Sequence, residues 1–165
     1  MSESVVKRLV DVYPYLVTNY NKVCFLLLKR SSRKVYSKQW RMIGGKVKPE
    51  ETYWQGAYRE LIEEIGLYPE LFWSVPSINQ FYEYQTDTIH KIPAFAAKID
   101  SNDQQSIVLN QEHDDYVWCS LEEANRKVLW PEQRRLIGLV ERIVSNNELL
   151  DSWIIPANTL SSLNI

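Results

Sequence analysis

Two spacings of apolar residues divide the chain into predicted strands and helices. Alternating or continuous apolar runs at residues 9–18, 23–28, 73–84, 91–99 and 116–119 predict β-strands. Apolar residues recur at helical spacing over residues 49–65, and Gly66 follows as a plausible helix end. A short helix is predicted at residues 121–127 and a longer one from Pro131 onward. This order predicts an α+β fold, with helices packed on opposite sides of one sheet.

The last part of the chain is less regular but still apolar. Trp153, Ile154, Ile155 and Leu160 lie close together there, and such a group is costly to leave exposed. We therefore predict a single domain over residues 1–148, followed by a C-terminal tail at residues 149–165. This tail would dock on the body or on a second subunit, which makes a homodimer possible.

Composition narrows the possible partners and the compartment. With 165 residues the chain can build one core without disulfides, and its net charge of −2 at pH 7 argues against binding long nucleic acid. Cys24 and Cys119 lack the spacing of a zinc site, so we expect two buried thiols in a reducing compartment. The polar amino-terminal residues predict neither a signal peptide nor a membrane span. We expect a cytoplasmic protein without a membrane partner.

Three acidic residues are expected to crowd together on the predicted helix at residues 49–65. Glu60, Glu63 and Glu64 lie three and four positions apart, so they share one side of that helix. Like charges at this spacing destabilise a helix by about 0.2–0.5 kcal/mol per pair, which a bound divalent cation would offset. Oxygen ligands of this kind are typical of Mg²⁺. The alternative interpretation is an ordinary solvated helix face.

The residues before and within this helix form one extended motif. Gly45 is followed after five residues by Glu51, and after seven more by Arg-Glu-Leu-Ile-Glu-Glu-Ile-Gly-Leu at residues 59–67. This run resembles the Nudix box, G-x5-E-x7-R-E-U-x-E-E-x-G-U, where U is aliphatic. The resemblance implies an α/β/α sandwich with a mixed sheet, and a loop-helix-loop site that hydrolyses a nucleoside diphosphate linked to another group. Ile43 stands where many members have proline, which concerns only the stiffness of the predicted Gly44-Gly45 loop.

The resemblance also implies a set of catalytic and metal-binding residues. Glu60, Glu63 and Glu64 would bind Mg²⁺, with Mn²⁺ as a possible substitute, and the Gly45 carbonyl would be a backbone ligand. Glu51 and Arg59 would form an ion pair that holds the loop against the helix. Residues 112–118 resemble an E-H-x-x-Y-x-W run found in several members, so Glu112 is expected to complete the site. The alternative interpretation is that residues 112–115 form only an acidic surface turn before a strand.

Basic and aromatic residues near the motif are candidates for contacts with the substrate. The predicted phosphate contacts are Arg30, Lys38 and Lys46, and the predicted stacking partners of a nucleobase are Trp40, Tyr82 and Tyr84. The alternative interpretation of the basic residues is that they are ordinary loop charges. The alternative for the aromatic residues is that they pack in the core or form pairs on the sheet. Gly56 is expected to leave room for a phosphate beside the acidic residues.

These features predict metal-assisted hydrolysis of a phosphoanhydride. The resemblance implies a nucleoside triphosphate-like substrate, such as a deoxynucleoside triphosphate or dihydroneopterin triphosphate, giving a monophosphate and pyrophosphate. A dinucleoside polyphosphate is the first alternative that it implies, because in the family a tyrosine about seventeen residues past the box accompanies that class, and Tyr84 stands there. The second alternative is a nucleotide-sensing module that has lost turnover, although every carboxylate of the motif is retained.

Overall fold

One mixed β-sheet organises the molecule. The computed structural model describes residues 7–32 and 38–165, so the first six residues of the predicted domain lie outside the described part. The strands are β1 (Leu9–Val17), β2 (Val23–Arg30), β3 (Trp40–Arg41), β4 (Ile43–Lys46), β5 (Leu71–Glu83), β6 (Thr88–Lys98) and β7 (His113–Cys119). Their order is β3-β2-β1-β6-β5, with β4 also paired to β1 and β7 to β2. Only the pairing of β1 with β6 is parallel among these described strands.

Helices cover both faces of this sheet. They are α1 (Tyr53–Ile65), α2 (Leu121–Lys127), α3 (Pro131–Ser145) and α4 (Ala157–Ser161). Leu61 and Ile65 of α1 are buried with Val12 on one face, whereas Leu136 of α3 is buried with Tyr13 on the other. Neighbouring strand residues thus supply two separate cores, as the two-residue period of a strand requires. The predicted α+β sandwich with a mixed sheet is confirmed.

Helix α1 begins four residues later than predicted. Thr52 caps it, because its side chain accepts a hydrogen bond from the Gln55 amide while the Gln55 side chain accepts one from the Thr52 amide. This reciprocal capping satisfies two amides that the first turn leaves free. Gly66 ends the helix with φ of 69°, a left-handed conformation that glycine adopts without a steric penalty.

Two expectations for glycines are corrected. Gly44 and Gly45 do not form a loop, because they belong to β4 and pair with Asp11 and Val10 of β1. The Cβ direction of Gly56 points at Val47 and not at the acidic side chains of α1. A Cβ at Gly56 would lie 3.1 Å from Cγ2 of Val47, so this glycine allows α1 to pack against the segment that follows β4.

The C-terminal tail packs on the body. The Ile155 amide donates a hydrogen bond to the Phe72 carbonyl at 2.9 Å, and Ile154 forms a bridge with Trp73 of β5. Leu160 is buried in the core on the α1 side. The homodimer remains a prediction. No helix in the described part of the chain is both long and apolar enough to cross a bilayer.

Candidate active site

A cleft of about 530 Å³ lies where β4, α1 and the beginning of α3 meet. Its size is typical of pockets for small ligands. Two groups of its lining residues differ in chemistry. We call Glu60, Glu112, Arg30 and Lys46 the charged end, and Asp11, Asn79 and Gln133 the polar end; Phe81 and Trp130 also line the cleft.

A buried acid lies at the charged end, beside the cleft. Glu64 is only 1% exposed, and its carboxylate lies within 4.8 Å of ligand atoms of Glu112 and His113. Its Oε2 atom is 3.2 Å from Nε2 of His113, while its Oε1 atom has no hydrogen-bond partner among residues 7–32 and 38–165. Burial, followed by the negative charges of Glu60 and Glu112, raises the pKa of Glu64 well above its ordinary value. Burial lowers the pKa of His113 to about 4, so the Glu64 carboxylate has no hydrogen bond from a positively charged group in the described residues.

Glu60 reaches the same region because position 45 has no side chain. A Cβ atom built on Gly45 would overlap the carboxyl group of Glu60. The backbone of β4 and the carboxylate of α1 are thus packed directly against each other. Burial is the main cause that raises the pKa of Glu60, and the hydrogen bond from Arg59 opposes it.

Arg59 connects the strand, the connecting turn and the helix. Its Nε and Nη2 atoms donate to the two carboxylate oxygens of Glu51 at 2.7 and 2.9 Å, and Nη2 also donates to the Lys46 carbonyl at 3.0 Å. Its Nη1 atom lies 3.0 Å from Glu60 and 3.2 Å from Glu63. The predicted ion pair between Glu51 and Arg59 is present. The hydrogen bonds from Arg59 lower the pKa of Glu51.

We expect Arg59→Lys to lower the free energy of unfolding by about 1–3 kcal/mol. A lysine ammonium cannot reproduce the paired hydrogen bonds to Glu51, and a buried carboxylate that loses its partner is costly. Urea denaturation measures the effect. Arg142→Lys is the matched control, because its contact with Glu148 is 3.7 Å long and exposed. Equal stability of the two variants would contradict a bracing function for Arg59.

The charged end suits a hard divalent cation. Glu60, Glu64 and Glu112 supply carboxylate oxygens, which are the ligands that Mg²⁺ prefers. The Oε1 atom of Glu64, buried without a partner in the described residues, is an orphaned acceptor that such a cation would satisfy. Glu63 is half exposed and accepts from Arg59, at the outer edge of this group. The residues therefore fit the implied metal.

Two arginines add positive charge next to these acids. Arg30 and Arg41 both line the cleft, and neither lies within 4.0 Å of a carboxylate among the described residues. The Nε atom of Arg30 is buried and has no hydrogen-bond partner in that part of the chain. Burial, together with the Arg30 charge, lowers the pKa of Arg41. Unpaired guanidinium groups in a cleft are suited to binding phosphate. Arg41 was not predicted from the sequence.

Four of the six predicted substrate contacts lie outside the cleft. Lys38 is exposed, and the ammonium groups of Lys29 and Lys127 lie 5.9 and 5.4 Å from the ring centre of Trp40. The Tyr82 hydroxyl donates to Asp87 at 2.9 Å, and Tyr84 is 76% exposed. The substrate-binding functions of Lys38, Trp40, Tyr82 and Tyr84 stay predictions, whereas Arg30 and Lys46 do line the cleft.

The polar end of the cleft was missed by sequence reasoning. Asp11, Asn79 and Gln133 come from β1, β5 and α3, so no local motif connects them. The Asp11 carboxylate accepts hydrogen bonds from Asn79 at 2.9 Å, Tyr13 at 3.3 Å and Gln133 at 3.5 Å. Burial raises the pKa of Asp11, and the hydrogen bond from Asn79 is the largest opposing effect. One signal was available, because Asp11 is an acid inside an otherwise apolar strand.

Comparison with known proteins assigns the family. A model of the NUDIX domain matches residues 8–140, which is most of the chain. The chain belongs to the Nudix family. As a Nudix hydrolase it is an enzyme that acts on acid anhydrides, as the sequence predicted. It is 27% identical over 126 residues to a CTP pyrophosphohydrolase of Escherichia coli, covering 75% of this chain and 85% of that protein.

Other Nudix proteins share the fold. Nucleoside triphosphatase NudI of Salmonella typhimurium is 30% identical over 111 residues, covering 62% of this chain and 77% of that protein. The crystal structure of a C. elegans Ap4A hydrolase binary complex superimposes with a TM-score of 0.70 at 24% identity, over 86% of this chain and 99% of that one. A Nudix hydrolase structure from Listeria monocytogenes also gives 0.70, at 22% identity, over 87% of this chain and 97% of that one. These structures show the fold.

Proposed function

We propose that this Nudix hydrolase cleaves a nucleoside triphosphate to a monophosphate and pyrophosphate with Mg²⁺. One observation carries the proposal: around one cleft, three carboxylates lie near two arginines that form no ion pair among the described residues. The acids Glu60, Glu64 and Glu112 suit a cation, and Arg30 with Arg41 suits the phosphates that would bind beside it. The CTP pyrophosphohydrolase and NudI relatives support this substrate class.

Different side chains are assigned to metal binding, phosphate binding and proton transfer. Glu60, Glu63, Glu64 and the Gly45 carbonyl would hold Mg²⁺, which supplies positive charge against the phosphate oxygens and makes water a stronger nucleophile. Arg30, Arg41 and Lys46 orient the phosphate chain. Arg59 and Glu51 hold β4 and α1 in register.

A carboxylate is needed as the general base. Glu112 lines the cleft next to Glu64, and we assign it the proton of the attacking water. The oxygen of this water forms a new bond to phosphorus as the bridging P–O bond breaks. The bond electrons leave with the departing oxygen of pyrophosphate, and the nucleoside monophosphate retains the oxygen from water.

A substrate screen tests this proposal. Pyrophosphate and phosphate release would be measured with Mg²⁺ for nucleoside triphosphates, dinucleoside polyphosphates and ADP-ribose. We expect the highest kcat/KM for a nucleoside triphosphate, with no turnover after chelation of divalent cations. Glu63→Gln is expected to reduce kcat by about 10- to 100-fold, because it removes one anionic ligand.

The matched control for this variant is Glu122→Gln, because Glu122 is exposed on α2, on the face of the sheet opposite α1. It should leave turnover unchanged. A higher kcat/KM for a dinucleoside polyphosphate would replace the proposed substrate. Absence of turnover on every compound, with nucleotide binding retained, would favour the sensing module.

A further inference from the structure

The hydrogen bonds at the polar end of the cleft leave two oxygen atoms available. All three donors to Asp11, from Tyr13, Asn79 and Gln133, converge on its Oδ2 atom. The Oδ1 atom of Asp11 accepts no hydrogen bond from the described residues. Asn79 must turn its amide nitrogen toward the carboxylate to donate, so its own Oδ1 atom is also left as an acceptor.

We propose that Asp11 and Asn79 recognise the amino group of a nucleobase, so that cytosine and adenine are preferred over their keto counterparts. This inference rests on the proposed nucleoside triphosphate activity and specifies its substrates. An exocyclic amino group donates hydrogen bonds, which two acceptors satisfy. A keto oxygen at the same position would instead place an acceptor against acceptors, leaving buried polar atoms unpaired.

The position of these residues in the cleft fits a base. Asp11 pairs with Gly44 in the ladder between β1 and β4, and Gly44 is followed directly by Gly45 at the charged end. A Cβ on Gly44 would lie 3.4 Å from Oδ1 of Asp11, so this oxygen lies close to the backbone of β4. One ligand can therefore meet the carboxylate-arginine end and the Asp11 end together.

Aromatic rings flank the same end. The Phe81 ring stacks on His90 with centroids 4.8 Å apart, and it lies 5.7 Å from the ring of Trp130 at a tilt of 41°. Both Phe81 and Trp130 line the cleft. Flat apolar walls beside a small set of hydrogen-bonding groups are suited to a purine or pyrimidine ring.

The carboxylate is held in a defined orientation. Its three donors come from β1, β5 and α3, and the positive charge of Arg41 lies nearby. These neighbours stabilise the ionised form. In Asp11→Asn the same three donors would keep the amide oxygen at the Oδ2 position. The NH₂ group would then point into the cleft, which replaces an acceptor by a donor at one atom.

Matched substrate pairs test this assignment. CTP and UTP differ in amino against keto at one ring carbon, and the adjacent ring nitrogen changes from an acceptor to an N–H donor, as it does between ATP and ITP. We expect the wild-type protein to have at least about a tenfold higher kcat/KM for the amino member of one pair or both, since one hydrogen bond to a charged group is worth about 1.5–3 kcal/mol. Asp11→Asn should lower this ratio at least about tenfold. Asp151→Asn, an exposed acid in the tail, should leave it unchanged.

Several outcomes separate this inference from the proposed function. Turnover by Asp11→Asn with unchanged amino-to-keto ratios would overturn base recognition while leaving triphosphate hydrolysis intact. Should Asp11→Asn fail to fold, the dissociation constants of CMP and UMP, and of AMP and IMP, decide the matter on the wild-type protein. Tighter binding of CMP or of AMP than of its keto partner by about tenfold supports the assignment, and equal binding in both pairs overturns it.

Discussion

Glu64→Gln is expected to reduce kcat by about 1,000-fold and to stabilise the metal-free protein. The loss follows from removing a buried anionic metal ligand, since metal-ion catalysis contributes several kcal/mol and about 1.4 kcal/mol corresponds to a factor of ten. The gain follows because the wild-type protein buries a carboxylate whose Oε1 atom accepts no hydrogen bond from the described residues and which lies beside the negative charges of Glu60 and Glu112. Replacing this carboxylate by the neutral amide of glutamine should add about 1–2 kcal/mol to the free energy of unfolding.

The stability difference should depend on pH. The raised pKa of Glu64 means that the folded state binds a proton more tightly than the unfolded state does. The wild-type protein therefore loses stability as pH rises from the ordinary glutamate pKa of 4.5 through the raised pKa, whereas the glutamine variant does not. The advantage of Glu64→Gln should be small near pH 4.5 and fully developed above the raised pKa.

Thermal unfolding in a chelator measures this effect. We expect the melting temperature of Glu64→Gln relative to that of the wild type to increase with pH, and to exceed it by about 2–8 °C once the pH is above the raised pKa. Added Mg²⁺ or Mn²⁺ should raise the wild-type value more than that of the variant, because binding to the folded state stabilises it. Glu122→Gln serves again as the exposed control. A variant that is less stable than the wild type in chelator would contradict this account of the site.

Gly45→Ala is expected to reduce kcat by about 100-fold with little loss of stability. The added Cβ would overlap the carboxyl group of Glu60, which must move away. Moving the end of a flexible side chain costs little in folding. The same movement displaces a proposed ligand, and misplacement by about 1 Å can cost about 100-fold in rate. We expect Mn²⁺ affinity, measured by titration calorimetry, to fall together with kcat.

The neighbouring glycine provides the matched control. A Cβ on Gly44 would have ordinary van der Waals distances of 3.4 Å to Asp11 and to the Val10 carbonyl. Gly44→Ala should therefore keep Mn²⁺ affinity within about twofold of the wild type, which is within about 0.4 kcal/mol. If both variants lose the metal equally, the strand itself is perturbed and the specific requirement at Gly45 is wrong.

Local signals in the sequence accounted for most elements of the fold. Helical spacing located α1, and Pro131 marked the first residue of α3. Strand β4 was missed because Gly44-Gly45 has the composition of a turn, and its strand conformation comes from long-range pairing with β1. Gly56 was misjudged for a related reason. Its neighbour Val47 comes from outside the helix, so a helical wheel does not show it.

The same distinction between local signals and long-range contacts applies to the candidate site. The acids of α1 and the ion pair between Arg59 and Glu51 lie within one motif, so their proximity could be predicted. His113 follows Glu112 directly, yet its contact with Glu64 depends on how β7 meets the end of α1. Asp11, Asn79 and Gln133 are brought together only by the complete fold. Sequence reasoning therefore found the charged end of the cleft and not the polar end.

The C-terminal tail also protects an edge of the sheet. Strand β5 is the last in the order β3-β2-β1-β6-β5, so one of its sides has no neighbouring strand among residues 7–32 and 38–165. Free strand edges tend to pair with other molecules and lead to aggregation. The Ile155 amide occupies the Phe72 carbonyl, and Ile154 bridges to Trp73, so the chain covers part of this edge itself. The tail thus limits self-association through β-strand addition, independently of any contribution to catalysis.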